Sequence, residues 1–120
     1  MLEHVSIPVT DYRNAKKFYE AALAPLGYVL QRDYPPEAAG FMEGGHTSFW
    51  IAVKKQKVSI HVAFLAKSRK AVQRFHTAAL KAGGKDNGKP GRRTGYGYAA
   101  FVYDPDGNNI EAVVFEKGDE

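Results

Sequence analysis

Residues 4–27, HVSIPVTDYRNAKKFYEAALAPLG, and residues 61–84, HVAFLAKSRKAVQRFHTAALKAGG, are two versions of one segment offset by 57 positions. Seven positions are identical: His4/His61, Val5/Val62, Phe18/Phe75, Ala21/Ala78, Ala22/Ala79, Leu23/Leu80 and Gly27/Gly84. Self-similarity at a fixed offset means that one supersecondary unit is used twice.

The physical pattern repeats more faithfully than the letters. In the first copy Ala15, Phe18, Tyr19, Ala22, Leu23 and Leu26 follow the three- and four-residue spacing of a helix with one apolar face. The equivalent residues of the second copy are Val72, Phe75, His76, Ala79, Leu80 and Gly83. Asp11 and Ser68 coincide as N-caps, because a short side-chain oxygen accepts from the free amides of the first turn. Gly27 and Gly83-Gly84 supply the left-handed residues that end helices.

Ahead of each helix lies a strand. Val5, Ile7 and Val9 alternate with His4, Ser6 and Pro8, and Val62 and Phe64 alternate with His61 and Ala63. Successive strand side chains point to opposite faces, so the apolar set packs on the helix and each histidine is left on the other side.

The segment from Gly40 to Val53 is broken by Gly44-Gly45, and that from Tyr96 to Phe115 by Asp104-Pro105-Asp106-Gly107. Each half therefore reads strand, helix, then two or three antiparallel strands. Residues 54–57, Lys-Lys-Gln-Lys, join the copies, and segments 31–40 and 85–95 read as the loosest parts. The expectation is one domain over 1–120, made of module 1 (1–53) and module 2 (58–117).

Bulk composition narrows the function classes. With 44% hydrophobic and 25% charged residues in 120, the chain reads as an ordinary globular protein. The absence of cysteine excludes disulfides, thiolate metal sites and cysteine nucleophiles. Met1-Leu2-Glu3-His4 does not open a signal peptide, and no apolar run is long enough to span a bilayer. A cytoplasmic location is expected, with no membrane partner. The net charge of +4 is scattered and accompanies no recognition motif, so no nucleic-acid partner is expected.

Two tandem modules of this size resemble the vicinal-oxygen-chelate superfamily of glyoxalases, bleomycin-resistance proteins and extradiol dioxygenases. The resemblance covers nearly the whole chain. It rests on His4-Val5-Ser6-Ile7, Asp11-Tyr12 to Phe18-Tyr19, Leu26-Gly27-Tyr28 and Ile60-His61-Val62. Its most specific part is Asp104-Pro105-Asp106-Gly107-Asn108-Asn109-Ile110-Glu111. The implied fold is α+β, with two βαβββ modules forming a cupped mixed sheet around a divalent metal.

That resemblance implies His4, His61 and Glu111 as metal ligands. Ser48-Phe49-Trp50-Ile51-Ala52-Val53, the last strand of module 1, has no acid, so the fourth ligand of metal-dependent glyoxalases is missing. Two imidazoles and a carboxylate with open positions suit Fe2+, while Mn2+ and Zn2+ accept similar donors. With Asp104 to Gly107 as a four-residue loop, Tyr103 would pair with Asn108 and Ala100 with Glu111. Tyr98 would then share the face of Glu111 and could donate to a metal-bound oxygen or act as an acid. A one-residue slip would turn it away. Tyr98 and Glu111 are thus the catalytic candidates. Trp50, Phe49, Arg92 and Tyr98 are the candidates for substrate contact, although filling the core is the favoured reading of Trp50 and Phe49. Arg92 and Arg93 lie in a glycine-rich segment that could close over an anionic ligand, with solvated loop charges as the default reading.

The expected function is that of a metalloprotein: a lyase, isomerase or dioxygenase acting on a small substrate chelated through vicinal oxygens. The alternative is a metal-free small-molecule binding and sequestering protein of the bleomycin-resistance type. Family habit also implies a homodimer.

Overall fold

The computed structural model describes residues 2–55, 58–95 and 97–116. The expected strand start at Tyr96, linker residues 56 and 57 and the module end at 117 lie outside the described residues. The element order is β1 (Val5–Val9), α1 (Tyr12–Leu23), β2 (Val29–Tyr34), β3 (Ala38–Glu43), β4 (His46–Val53), β5 (His61–Leu65), α2 (Arg69–Lys81), β6 (Lys85–Arg93), β7 (Gly97–Tyr103) and β8 (Asn109–Val114). Strand order is β1-β4-β3-β2 in one sheet and β5-β8-β7-β6 in the other. In each sheet the first strand pairs in parallel with the last, and the other pairs are antiparallel. This is βαβββ twice, the α+β fold that the repeat requires.

Local chemistry sets the helix limits. Asp11 accepts the amide of Asn14 at 3.0 Å, and Ser68 accepts that of Ala71 at 3.1 Å, so both caps act as expected. Past α1, a short 3-10 turn, Ala24–Leu26, closes on Gly27 at φ 93°, a conformation open to glycine.

Each helix buries one stripe on its sheet: Ala15, Phe18, Tyr19, Ala22 and Leu23 from α1, and Val72, Phe75, His76 and Ala79 from α2. Leu80 departs from the pattern and stays 37% exposed. One hydrophobic cluster contains residues of both modules. Phe49 of β4 lies 5.0 Å from both Tyr19 and Phe64, which carries the aromatic contact from module 1 into β5.

Polar contacts join the modules at the other end. Tyr19 donates its hydroxyl to Asp104, the Thr10 backbone amide donates to Asp106 at 2.9 Å, and Asn108 Nδ2 donates to the Pro8 carbonyl at 3.2 Å. The turn with the most specific family resemblance therefore also ties the two halves together.

Two expectations need correction. Segments 31–40 and 85–95 are largely strand: they supply most of β2, the start of β3 and all of β6. Main-chain bonds to β3 and β7 hold these edge strands, which side-chain patterning does not reveal. The β7–β8 register is also shifted by one, with Tyr103 opposite Asn109 and Phe101 opposite Glu111. The loop is one residue longer because Asn108 is drawn out of the ladder. Its side chain accepts from the Ile60 amide at 2.9 Å and donates to Asp104 and Pro8, while Asp104 also accepts the Asn108 amide at 2.8 Å.

Candidate functional site

The register decides which side chains share the helix-free face of module 2. His61 pairs with Asn109 and Ala63 with Glu111 in the parallel ladder, and Glu111 stands opposite Phe101 in the antiparallel one. His61, Asn109, Glu111 and Phe101 therefore project from one face. His61 Nε2 lies 3.1 Å from Glu111 Oε1. Its Nδ1 is 2.9 Å from the Asn109 carbonyl, which can only accept, so Nδ1 carries the proton.

With Nδ1 given to that carbonyl, His61 turns Nε2 toward a carboxylate oxygen, which is an acceptor. Two acceptors at that distance need something positive between them: a proton or a cation. The Glu111 side chain is buried, and burial pushes its carboxyl up from the ordinary value, opposed by the nearby His61 and Arg93. Phe101 floors this patch, its ring 6.3 Å from that of His61 and nearly parallel to it. Arg93, on β6 opposite Gly97, reaches over the same ring with its guanidinium carbon 5.5 Å from the centroid.

The helix-free face of module 1 is an aromatic platform. Trp50 pairs with Ser6 and Gly40, and its ring stacks on Tyr34 with centroids 6.3 Å apart and 9° between planes. A Cβ on Gly40 would stand 2.9 Å from Trp50, so the missing side chain is what lets the indole lie down. A hollow of about 470 Å³ opens here between Glu3, His4, Arg32, His46 and Trp50. Glu3 bridges the two histidines, with Oε1 2.6 Å from His4 Nδ1 and Oε2 3.1 Å from His46 Nε2.

The expected ligand set is only partly assembled. His61 and Glu111 come together, but His4 stands just ahead of β1 against Glu3. Among the described residues no group of three or more His, Cys, Asp or Glu could hold a metal ion.

Three candidates for the substrate face point elsewhere. Tyr98 sits on the helix side, with Gln73 Nε2 donating to its hydroxyl at 2.9 Å and the guanidinium of Arg69 over its ring at 4.6 Å. The longer loop reverses its parity relative to Glu111. Phe49 alternates with Trp50 and is 1% exposed in the core, so one strand cannot present both to a ligand. Arg92 pairs with Tyr98 and so leaves the Glu111 face to Arg93. Phe101, Tyr34 and Arg93 complete the two patches. The β7–β8 loop length is what picks out Phe101, and the β6–β7 pairing is what separates Arg93 from Arg92.

Comparison with known proteins agrees with this architecture. The profile of the Glyoxalase/Bleomycin resistance protein/Dioxygenase superfamily matches residues 1–112. A crystal structure of a glyoxalase/bleomycin resistance protein from Albidiferax ferrireducens T118 is similar at 30% identity and TM-score 0.82, over 97% of this chain and 99% of that one. A glyoxalase-related enzyme from Fulvimarina pelagi shares the fold at 16% identity and TM-score 0.76, over 95% and 87%. So does a lactoylglutathione lyase from Agrobacterium tumefaciens at 18% identity and TM-score 0.72, over 97% and 98%. No curated protein matches in sequence. Among the described residues, no helix is long and apolar enough to cross a membrane. From the repeated module, the paired mixed sheets and these matches together, the chain belongs to the glyoxalase/bleomycin resistance protein/dioxygenase superfamily.

Proposed function

We propose that the chain is a metal-dependent lyase, isomerase or dioxygenase acting on a small substrate with adjacent oxygens, and that His61 and Glu111 are its reacting centre. The observation that carries this reading is the convergence of His61 Nε2 and Glu111 Oε1 at 3.1 Å, with the other ring nitrogen satisfied by a carbonyl. A histidine oriented through its second nitrogen beside a carboxylate is the donor arrangement a divalent ion takes.

The fit is to two donors of the chain. His61 and Glu111 would hold Fe2+, Mn2+ or Zn2+, with His4 of a second copy as the third protein donor. Such an ion supplies Lewis-acid polarisation of vicinal substrate oxygens when bound. The residues themselves do the rest. His61 keeps its Nδ1 proton on the Asn109 carbonyl, which fixes the ring. Glu111, beside His61 and on the face of Phe101, is placed to take a proton from a carbon or hydroxyl next to a carbonyl. Phe101 holds the substrate off the strand on the face of His61 and Glu111.

The same reading makes the working form a cytoplasmic homodimer. Leu2, Leu65 and Phe115 are 86%, 67% and 65% exposed, apolar surface that a second copy would cover. Sedimentation at micromolar concentration tests this, and a monomer refutes it.

A specific observation favours a second reading, metal-free sequestration of a ligand. Among the described residues His4 forms no metal-holding group with His61 and Glu111, and it lines a hollow with Trp50 of the aromatic platform. Elemental analysis of protein purified without added metal or chelator separates the two. Stoichiometric metal in the wild type, lost in His61→Ala, supports the metalloenzyme. Metal absent from the wild type, with catechol bound equally before and after Fe2+ addition, supports sequestration.

A further inference from the structure

Arg93 has room made for it. The register places it on the face of Glu111 and Phe101, and its side chain turns back along β6 to cover the Phe101 ring. The β6 residues under it are glycines. A Cβ on Gly88 would stand 3.2 Å from Arg93 Nη2 and 2.9 Å from Phe101, and one on Gly91 would stand 3.1 Å from Nη1. Gly88 also has φ 158°, a backbone setting that other residues rarely take.

The guanidinium is held by one backbone bond and one ring. Nη2 donates to the Lys89 carbonyl at 2.7 Å, and the ring packs beneath. A guanidinium has five N–H donors. Among the described residues no carboxylate comes within ion-pair distance of Arg93, although Glu111 is near enough to feel its charge. Arg93 is only half-buried, so its remaining N–H groups are open to an oxyanion that a ligand brings.

We propose that Arg93 anchors an oxyanion of the substrate, a carboxylate or a phosphate, and so restricts the substrate to small acids. The planar fork pairs two N–H bonds with two oxygens of such a group. His61 and Glu111 come from β5 and β8 on one side of Phe101 on β7, and Arg93 comes from β6 on the other. One phenyl ring thus separates the anion anchor from the reacting pair. A compact acid with a hydroxyl or carbonyl next to its charged end fits this span. The substrate class rests on the reading of His61 and Glu111 as the reacting centre; anion capture by Arg93 does not.

The test uses metal-free full-length protein, so that it does not depend on the metal. Wild type, Arg93→Gln, Arg93→Lys and Arg92→Gln are titrated with glycolate, methyl phosphate and the neutral ethylene glycol. Amide shifts of Gly88, Phe101 and Glu111 report binding, and spectral dispersion confirms that each variant is folded. We expect at least one anion to bind wild type and to bind Arg93→Gln about tenfold more weakly or worse. Arg93→Lys should keep part of the affinity, while Arg92→Gln and the ethylene glycol series should be unchanged. The stronger of the two anions identifies the group as carboxylate or phosphate. Equal weakening by Arg92→Gln, an unaffected Arg93→Gln, or no anion-dependent shift in wild type each overturns the proposal. Metal content of Arg93→Gln, measured in parallel, shows separately whether the metalloenzyme reading stands.

Discussion

Tyr19, in the helix of the first module, donates its hydroxyl to Oδ2 of Asp104, in the last turn of the second, at 2.6 Å with both side chains buried. Burial first, and then the neighbouring Asp104 carboxylate, hold the Tyr19 hydroxyl well above its ordinary value, so it stays a donor. Asp104 also accepts the amides of Asp106 and Asn108. One buried carboxylate therefore both shapes the hairpin that sets the site's register and fastens it to the other module. Tyr19→Phe should leave Asp104 short of a donor and cost about 1–3 kcal/mol of stability. Urea unfolding measures it. A loss confined to a few tenths would mean that the bond joins nothing of consequence.

Tyr98→Phe should be mild. Its hydroxyl accepts from Gln73 on the helix side, so the change removes one hydrogen bond worth about 0.5–1.5 kcal/mol. Glycolate titration monitored at His61 should not change. A tenfold loss of affinity there would place the tyrosine on the Glu111 face after all.

Gly40→Ala should disturb the first platform. The new methyl meets Thr47 at 2.8 Å and Trp50 at 2.9 Å, so the indole must lift from Tyr34 at an overpacking cost of about 1–3 kcal/mol. Trp50 is the sole tryptophan, so its fluorescence reads the movement directly. An unchanged emission spectrum would show that the stack tolerates the methyl.

The His76–Asp86 pair makes stability depend on acid. His76 Nε2 lies 2.8 Å from Asp86 Oδ1, and this bond, followed by that from the Gly88 amide, lowers the Asp86 carboxyl from its ordinary value of 3.8. A carboxyl lowered by folding adds stability above its unfolded value and loses it as pH falls through the folded one. Asp86→Asn should therefore melt below wild type near neutrality, with the gap closing as pH drops below the ordinary carboxylate range. A gap that holds constant into acid would show that packing, not charge, sets it.

The module plan was legible in the chain because its causes are local. Helical spacing, the Asp11 and Ser68 caps, the glycines after each helix and the His4/His61 repeat all act within a few residues, and strand parity within β5 was enough to put His61 away from the helix. Parity across a hairpin is different, because one added residue in the loop flips every side chain of one strand relative to the other. That residue is Asn108, drawn out of the ladder toward Ile60 and Pro8, which lie 48 and 100 positions away in the chain. No local pattern announces such bonds. Through them the tertiary structure put Phe101 beside Glu111 and turned Tyr98 under α2. The backbone pairing of β6 with β7 then brought Arg93, and not Arg92, over Phe101. What the sequence alone determined was the kind of module, its helices and its inner strands; the edge strands β2 and β6, and which side chains meet, were decided by backbone pairing and by contacts between distant segments.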